Sequence, residues 1–332
     1  MPTLYVTEPD ARIEKEYRRL LVSTPDKVLL ALPIARLDHI VLIGCAGVTT
    51  PALHALLEAE IGLTLLSRSG RLLGRLCPAT APNIALRHQQ YARAQSDDFC
   101  VELARAVVSG KLRNSRSLAR RWLRTVPDAE HQPTLARLDR AVTALAGAES
   151  LARLRGLEGS GTRAYFALWR QALDPPFTFN KRTRRPPRDP VNAMLSFGYT
   201  LLTDNLMTAC EIVGLDPYDG FLHADKYGRP ALALDLMEEF RALIVDAVVL
   251  TLVNRERLTP DDFEPSDDGG IQMSRAALQI FLTTYQKRIQ TEVYYPLAKR
   301  RLSYQKIFEM QARLLRHVIE GRVDAYSPFR TR

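Results

Sequence analysis

Three stretches of the 332-residue chain carry side chains able to do chemistry. The first, residues 220–241 (GFLHADKYGRPALALDLMEEFR), sets His223 in a loop of turn formers and follows it with a helix bearing Asp235 and Glu238. Helical residues three apart are neighbours across one turn, so both carboxylates share a face. Leu234, Met237, Phe240, Leu243, Ile244 and Ala247 make the helix broadly apolar, which puts the acids at the border of a core. Carboxylates there are costly unless something positive meets them. A divalent cation would meet them, and so would an arginine such as Arg241; acids at this spacing also form ordinary solvated helix faces.

The second stretch, residues 154–169 (LRGLEGSGTRAYFALW), places Glu158 ahead of a Gly-Ser-Gly turn and an aromatic-rich helix. The acid reads as a carboxylate favoured by the helix dipole. The glycines also permit a close backbone approach to a phosphate. Neither GxGxxG nor a Walker-type GxxxxGK-Ser/Thr occurs, so nucleotide binding has no support. The third stretch, residues 177–199, opens on a basic loop of Lys181, Arg182, Arg184, Arg185 and Arg188, stiffened by Pro186 and Pro187. Such a run is usually solvated surface, but one fixed ahead of a helix can track phosphates. Asn192, one turn into that helix, reads either as support for a site or as a plain first-turn residue. Lys111, Arg113, Arg116, Arg120, Arg121 and Arg124 form a second basic group, partly along one helix. His39, His54, His88, His131 and His317 have no carboxylate pair nearby in sequence, and Trp122 and Trp169 read as core.

The elements that must position these residues fall into two textures. Short apolar runs at residues 4–6, 20–22, 28–32, 40–43, 63–66 and 72–76 have strand length and β-branched content. Between them only residues 50–61 read as a helix, with Pro51 in its first turn, and residues 67–71 (SRSGR) read as a hairpin turn. From about residue 85 the apolar spacing becomes helical, over 84–108, 117–123, 134–146, 161–172, 191–213, 231–253, 274–293 and 303–319. Asp189-Pro190 opens one of these helices, Gly214 closes it, and residues 77–82 (CPATAP) read as a linker. The expected fold is α+β in two domains: a small β-rich, sandwich-like domain over residues 1–80, then a larger all-α domain over 81–332.

A net charge of +9 favours a polyanionic partner without proving one. Four cysteines without a CxxC pair argue against a zinc knuckle and for free thiols in a reducing compartment. The segment 242–253 contains Asp246 and is far shorter than the ~20 apolar residues of a membrane span. The opening MPTLYVTEPDAR has no export signal, so a soluble, cytoplasmic protein is expected.

Taken in order, the three stretches resemble the family of CRISPR-associated protein one, the integrase that inserts spacers into CRISPR arrays. An LxGxEG segment followed by YF matches residues 154–159 and Tyr165-Phe166; an RRPPxDPxNAxLSxxY block matches 184–199; GFLH, LDLME and FR match 220–223, 234–238 and 240–241. Ser160-Gly161-Thr162 and Glu239 depart from the family's usual residues without removing a ligand. The resemblance implies a metal site formed by Glu158, His223 and Glu238, with Asp235 as an accessory catalytic acid. One imidazole among carboxylates suits Mn²⁺ or Mg²⁺. An imidazole must be neutral to ligate, so activity is expected to fall at acid pH. The resemblance further implies double-stranded DNA as substrate, a homodimer formed through the β-rich domain, and a small CRISPR-associated partner dimer that completes an integration complex. A structure-specific nuclease without integration, or a non-catalytic nucleic-acid scaffold with an ion-paired acid patch, would share many of these features.

Overall fold

The computed structural model describes residues 3–78, 83–125, 128–223, 226–267 and 269–331. The end of the expected linker, residues 79–82, lies outside them. By contact the chain divides into two units, one formed by Met1–Ala81, Thr183–Thr200 and Asp261–Gln286, the other by Pro82–Arg182, Leu201–Pro260 and Lys287–Arg332.

The first unit begins with β1 (Thr3–Val6), β2 (Arg12–Glu16), β3 (Arg19–Thr24), β4 (Lys27–Pro33), β5 (His39–Ile43), β6 (Gly47–Val48), α1 (Thr50–Glu58), β7 (Gly62–Leu66) and β8 (Leu72–Leu76). They make two four-stranded sheets, ordered β1-β5-β7-β8 and β4-β3-β2-β6. Ile13 and Leu20 of the second sheet and Ile40, Leu42 and Leu63 of the first enter one core cluster, joined by Leu56 of α1. Their inward side chains thus realise the expected sandwich. The six apolar runs are all strands. β2 escaped notice because its sequence, RIEKE, offers one core residue, Ile13, among charges. β7 and β8 are joined by the expected turn, where Gly70 takes φ +86° and Ser67 N–H donates to Arg71 O at 2.8 Å. Edge strand β4 exposes Val28, Leu29 and Leu30 (59%, 37% and 42%).

The remaining helices are α2 (Ile84–Ala94), α3 (Asp97–Trp122), α4 (Asp128–Ala144), α5 (Leu151–Gln171), α6 (Pro190–Ile212), α7 (Ala231–Met237), α8 (Ala247–Asn254), α9 (Arg275–Ile289) and α10 (Tyr304–Ile319). The continuous period over 84–108 conceals a break, because Ser96 leaves the helix to cap α3, accepting from Phe99 N–H at 3.4 Å. Two hairpins were not expected in the helical half, β9 (Phe263–Pro265) with β10 (Ile271–Met273) and β11 (Glu292–Tyr295) with β12 (Arg300–Ser303). Their strands of three or four residues are too short to show a two-residue period.

The first unit also gathers segments from late in the chain. Glu8 pairs with Arg275, Arg68 Nη2 meets Glu264 Oε1 at 2.6 Å, and Ile271 N–H donates to Pro187 O at 2.9 Å. Phe197 packs edge-on against Phe281 at 5.7 Å between ring centroids. In the second unit, Leu112 of α3 lies against Gly161 of α5, where a Cβ would stand 2.7 Å from Leu112 Cδ2. Phe240 stacks on Phe329 at 5.8 Å and meets Phe308 edge-on at 4.7 Å. Cys100 and Cys210 are buried and not disulfide-bonded, whereas Cys45 is exposed. No described helix is long and apolar enough to cross a membrane.

Candidate metal centre

All four acid-site candidates lie in the second unit, carried by α5, the loop before α7, and α7 with its C-cap. Glu158 is not ahead of a helix. It sits inside α5, which starts seven residues earlier at Leu151, where Ser150 accepts from Arg153 N–H at 3.3 Å. The Gly-Ser-Gly stretch is therefore helical, not a phosphate-binding turn: strong formers on both sides outweigh two glycines that each cost ~1 kcal/mol. Asp235 belongs to α7, which ends at Met237, leaving Glu238 as its C-cap. The expected helix over 231–253 is interrupted there. Ala242–Asp246 are wound as a π-helix before α8 begins. The side chain of Arg288 serves this irregular segment by donating from Nε to Leu243 O at 2.7 Å.

The site is centred on Lys111, from the middle of α3. Its Nζ pairs with Glu158 Oε1 and, at 2.6 Å, with Glu238 Oε2. The lysine side chain is 9% exposed and that of Glu238 5%. Thr162, one turn beyond Glu158, donates to Glu158 Oε1 at 2.8 Å. Arg241 reaches Glu238 Oε1 at 3.2 Å, and His223 Nε2 lies 3.7 Å from that same oxygen. Burial alone would push the Glu238 carboxyl up from its ordinary 4.5, but Arg241, Lys111 and His223 overcome it and hold the group down at about 2. Its chain neighbour Glu239 is also buried but meets hydrogen-bond donors, from Tyr326, Phe329 N–H and Gln311. Burial wins there, and the group is raised to about 7.

Asp235 faces the loop. Its Oδ2 accepts from Phe221 N–H at 2.7 Å and Leu222 N–H at 2.9 Å; its Oδ1 accepts from His223 N–H at 3.0 Å and meets His223 Nδ1 at 2.6 Å. With Nδ1 engaged, the imidazole presents Nε2 to Glu238. Gly220 must be glycine for this packing, because a Cβ would stand 2.7 Å from the Ala231 carbonyl carbon and 2.9 Å from Asp235 Oδ2. Arg155, one turn before Glu158, clamps the loop by donating twice to Leu222 O, at 2.9 and 2.7 Å.

Two carboxylates that already share one cation, beside an imidazole nitrogen, are a hard oxygen-and-nitrogen donor set of the kind that suits Mn²⁺ or Mg²⁺. Among the described residues no three His, Cys, Asp or Glu side chains are already drawn into ligating positions. The charge balance is supplied instead by Lys111 and Arg241.

The basic residues are distributed differently from the sequence expectation. Lys111 is interior, and Arg116 and Arg120 both pair with Asp139 at 3.0 Å, so the second basic group is not one free patch. In the basic loop Lys181, Arg184, Arg185 and Arg188 are exposed and Arg182 is half-buried. Asn192 is fully buried and holds this loop, its Oδ1 accepting from Thr183 N–H at 3.0 Å and its Nδ2 donating to Asp189 Oδ2 at 2.6 Å. Lys111 and Arg155 are the site residues that sequence reasoning missed. A buried lysine inside a run of arginines has no distinguishing local signal, and Arg155 acts on a backbone carbonyl 67 residues away.

The fold and this acid cluster define a two-unit α+β protein with a buried, cation-bridged carboxylate pair beside an imidazole. Residues 4–287 match the model of the CRISPR associated protein Cas1 family, and the chain belongs to that family. It is 36% identical over 334 residues to CRISPR-associated endonuclease Cas1 1 of Chlorobaculum tepidum, covering 98% of this chain and 97% of the relative. It is 37% identical over 331 residues to CRISPR-associated endonuclease Cas1 3 of Thermus thermophilus, covering 99% and 97%. Among solved structures, a Cas6-RT-Cas1–Cas2 complex matches with a TM-score of 0.85 at 27% identity, covering 100% of this chain and 36% of that one. A casposase bound to integration product shares the fold, with a TM-score of 0.88 at 22% identity over 98% and 93% of the two chains.

The low position of Glu238 has a consequence for stability. A carboxyl held below its ordinary value contributes stability that is complete above 4.5 and is lost as pH falls towards 2. Glu238→Gln is expected to be less stable than wild type at pH 7 by about 3 kcal/mol, since it leaves Lys111 and Arg241 under-compensated. In denaturant titrations at stepped pH that gap should close between 4.5 and 2. A gap independent of pH would show that Glu238 is not stabilised as a carboxylate.

Proposed function

We propose that this chain is a metal-dependent DNA endonuclease and integrase of CRISPR adaptation, inserting short DNA segments into an array by transesterification at DNA 3′-hydroxyl ends. The observation that carries this reading is the pair Glu158 and Glu238, drawn from separate elements onto one cation with His223 Nε2 alongside. The names of the relatives as endonucleases support the nuclease activity, and the fold shared with a casposase bound to integration product is in keeping with strand transfer.

In this proposal Glu158, His223 and Glu238 hold a Mn²⁺ or Mg²⁺ ion, which when bound supplies Lewis acidity to the scissile phosphodiester. Asp235 is a positioning residue: it fixes the ring of His223 through Nδ1 and the loop through three backbone N–H groups. Arg155 secures the same loop from α5. The exposed arginines Arg184, Arg185 and Arg188 contact DNA phosphates, with Lys181 and Arg182 beside them in sequence. We assign dimerisation to residues 1–80 and catalysis to 81–332, and take as partner a small CRISPR-associated dimer; the likeness to a Cas6-RT-Cas1–Cas2 complex supports a protein partner. The apolar edge strand β4 supports a homodimer, because an unpaired edge carrying Val28, Leu29 and Leu30 needs covering. A non-catalytic scaffold remains the competing outcome, favoured by the fact that Lys111 and Arg241 already neutralise the acids.

Glu158→Ala, His223→Ala and Glu238→Ala are each expected to abolish nicking and integration into a repeat-bearing plasmid, and Asp235→Ala to give a smaller loss of about 10–100-fold. Retention of full activity by Glu238→Ala would overturn the metal assignment, whereas wild type inactive in both assays would decide for the scaffold. DNA affinity should fall steeply with salt, and replacing Arg184, Arg185 and Arg188 together should lower the log–log salt slope by about 3 with little dependence on sequence. An unchanged slope removes the loop from the DNA interface. Light scattering should give twice 37.4 kDa for wild type and a single 37.4 kDa for Val28→Glu/Leu30→Lys. A wild-type monomer would refute the dimer.

A further inference from the structure

Lys111 occupies a position that no DNA-tracking surface explains. Its side chain is nearly buried, and its single ammonium is shared by the two carboxylates to which the proposal above assigns the metal. The backbone carrying it is fixed. At Gly110 a Cβ would stand 2.6 Å from Pro328 Cβ and 3.4 Å from Glu239 Cβ, so the start of this turn packs closely against these residues. Asn114, one turn on, donates to Glu239 O and Phe329 O at 2.9 Å each and accepts from Thr331 N–H at 3.1 Å. The lysine itself is a point charge on a flexible four-carbon stem, able to swing while its helix stays in place.

We infer that Lys111 is the resident counter-ion of the site, and that a divalent metal ion reaches Glu158 and Glu238 only in exchange for its ammonium. The inference rests on the metal-binding reading of these residues. Electrostatics favours exchange over addition. An ion of charge +2 placed between the carboxylates would face an ammonium a few ångströms away in a poorly solvated setting, where repulsion is strong. With Lys111 withdrawn, the ion takes over both carboxylates, and His223 Nε2 is already beside Glu238. The lysine thus holds α3, α5 and the end of α7 in register before the metal arrives, and competes with it.

The test uses the full chain with Mn²⁺ as probe, after treatment with EDTA. Lys111→Met is expected to melt below wild type in EDTA, to bind Mn²⁺ about tenfold tighter or more by EPR titration, and to gain more thermal stability from saturating Mn²⁺ than wild type does. Lys111→Arg keeps the charge and should bind no tighter than wild type. A second measurement needs no variant: in wild type, acylation of the Lys111 amine, read by mass spectrometry, should rise when Mn²⁺ is added. Wild type that binds Mn²⁺ while Lys111→Met binds equally or more weakly overturns the exchange alone, and so does labelling that stays level or falls. Failure of both proteins to bind Mn²⁺ overturns the metal reading with it.

Discussion

The candidate site depends on one ammonium shared by two carboxylates. Glu158, Glu238 and Lys111 come from α5, the end of α7 and α3, three segments far apart in sequence that the Lys111 nitrogen ties at a single point. Bringing such charges out of water costs several kcal/mol per ion, and mutual attraction offsets that only when each group is well met. Here Thr162 adds a donor to Glu158, and Arg241 a second cation to Glu238. The arrangement is therefore cooperative: withdrawing any one charge leaves its partners buried and unbalanced. This is a poor way to gain stability compared with an apolar core, and buried charge of this kind is a feature of functional sites.

The layers behind the cluster follow a consistent division. Asp235 lies three residues before Glu238 and Glu239 directly after it, and both are met chiefly by hydrogen-bond donors. Asp235 gathers a loop of three backbone N–H groups and orients an imidazole. Glu239 receives Tyr326 and Phe329 N–H, fastening the C-terminal segment, while Asn114 holds Phe329 O and Thr331 N–H from α3. The opposite positions of Glu238 and Glu239, about 2 and about 7, express this division, since burial is common to both and only the surrounding charges differ. Ending α7 at Met237 makes the division feasible, because adjacent carboxylates can then serve different surroundings.

How much of this was legible depended on the range of the forces involved. The six apolar strands, the 67–71 turn and most of the helices follow from local periodicity and turn chemistry, and they were read within a few residues. β2 was invisible because its core contribution is a single isoleucine, and the break at Ser96 was masked because α2 and α3 keep similar periods on either side. Glu158 was recognised as a candidate but placed on the wrong element. Two glycines suggested a turn, yet the Ser150 cap and the residues around them favour helix, and Leu112 packs closely against Gly161. No local rule reveals a contact of that kind.

The same limit explains why basic residues were the hardest to assign. In sequence Lys111 and Arg113 look alike, two residues apart on one helix. A two-residue step turns about 200° around the axis, so their side chains leave α3 on opposite sides. Lys111 turns inward to two acids, while Arg113 donates to Ser109 on its own helix. Arg116 and Arg120, four apart and on a common face, converge instead on Asp139 of α4. One run of cations is thereby divided between a buried cluster and a helix–helix clamp. The net positive charge overstates how much of it is free to meet a polyanion, and the exposed arginines on either side of Pro186-Pro187 stand out by contrast. Their loop is held by a fully buried asparagine at its base, an arrangement that orders the backbone while leaving the guanidinium groups to solvent.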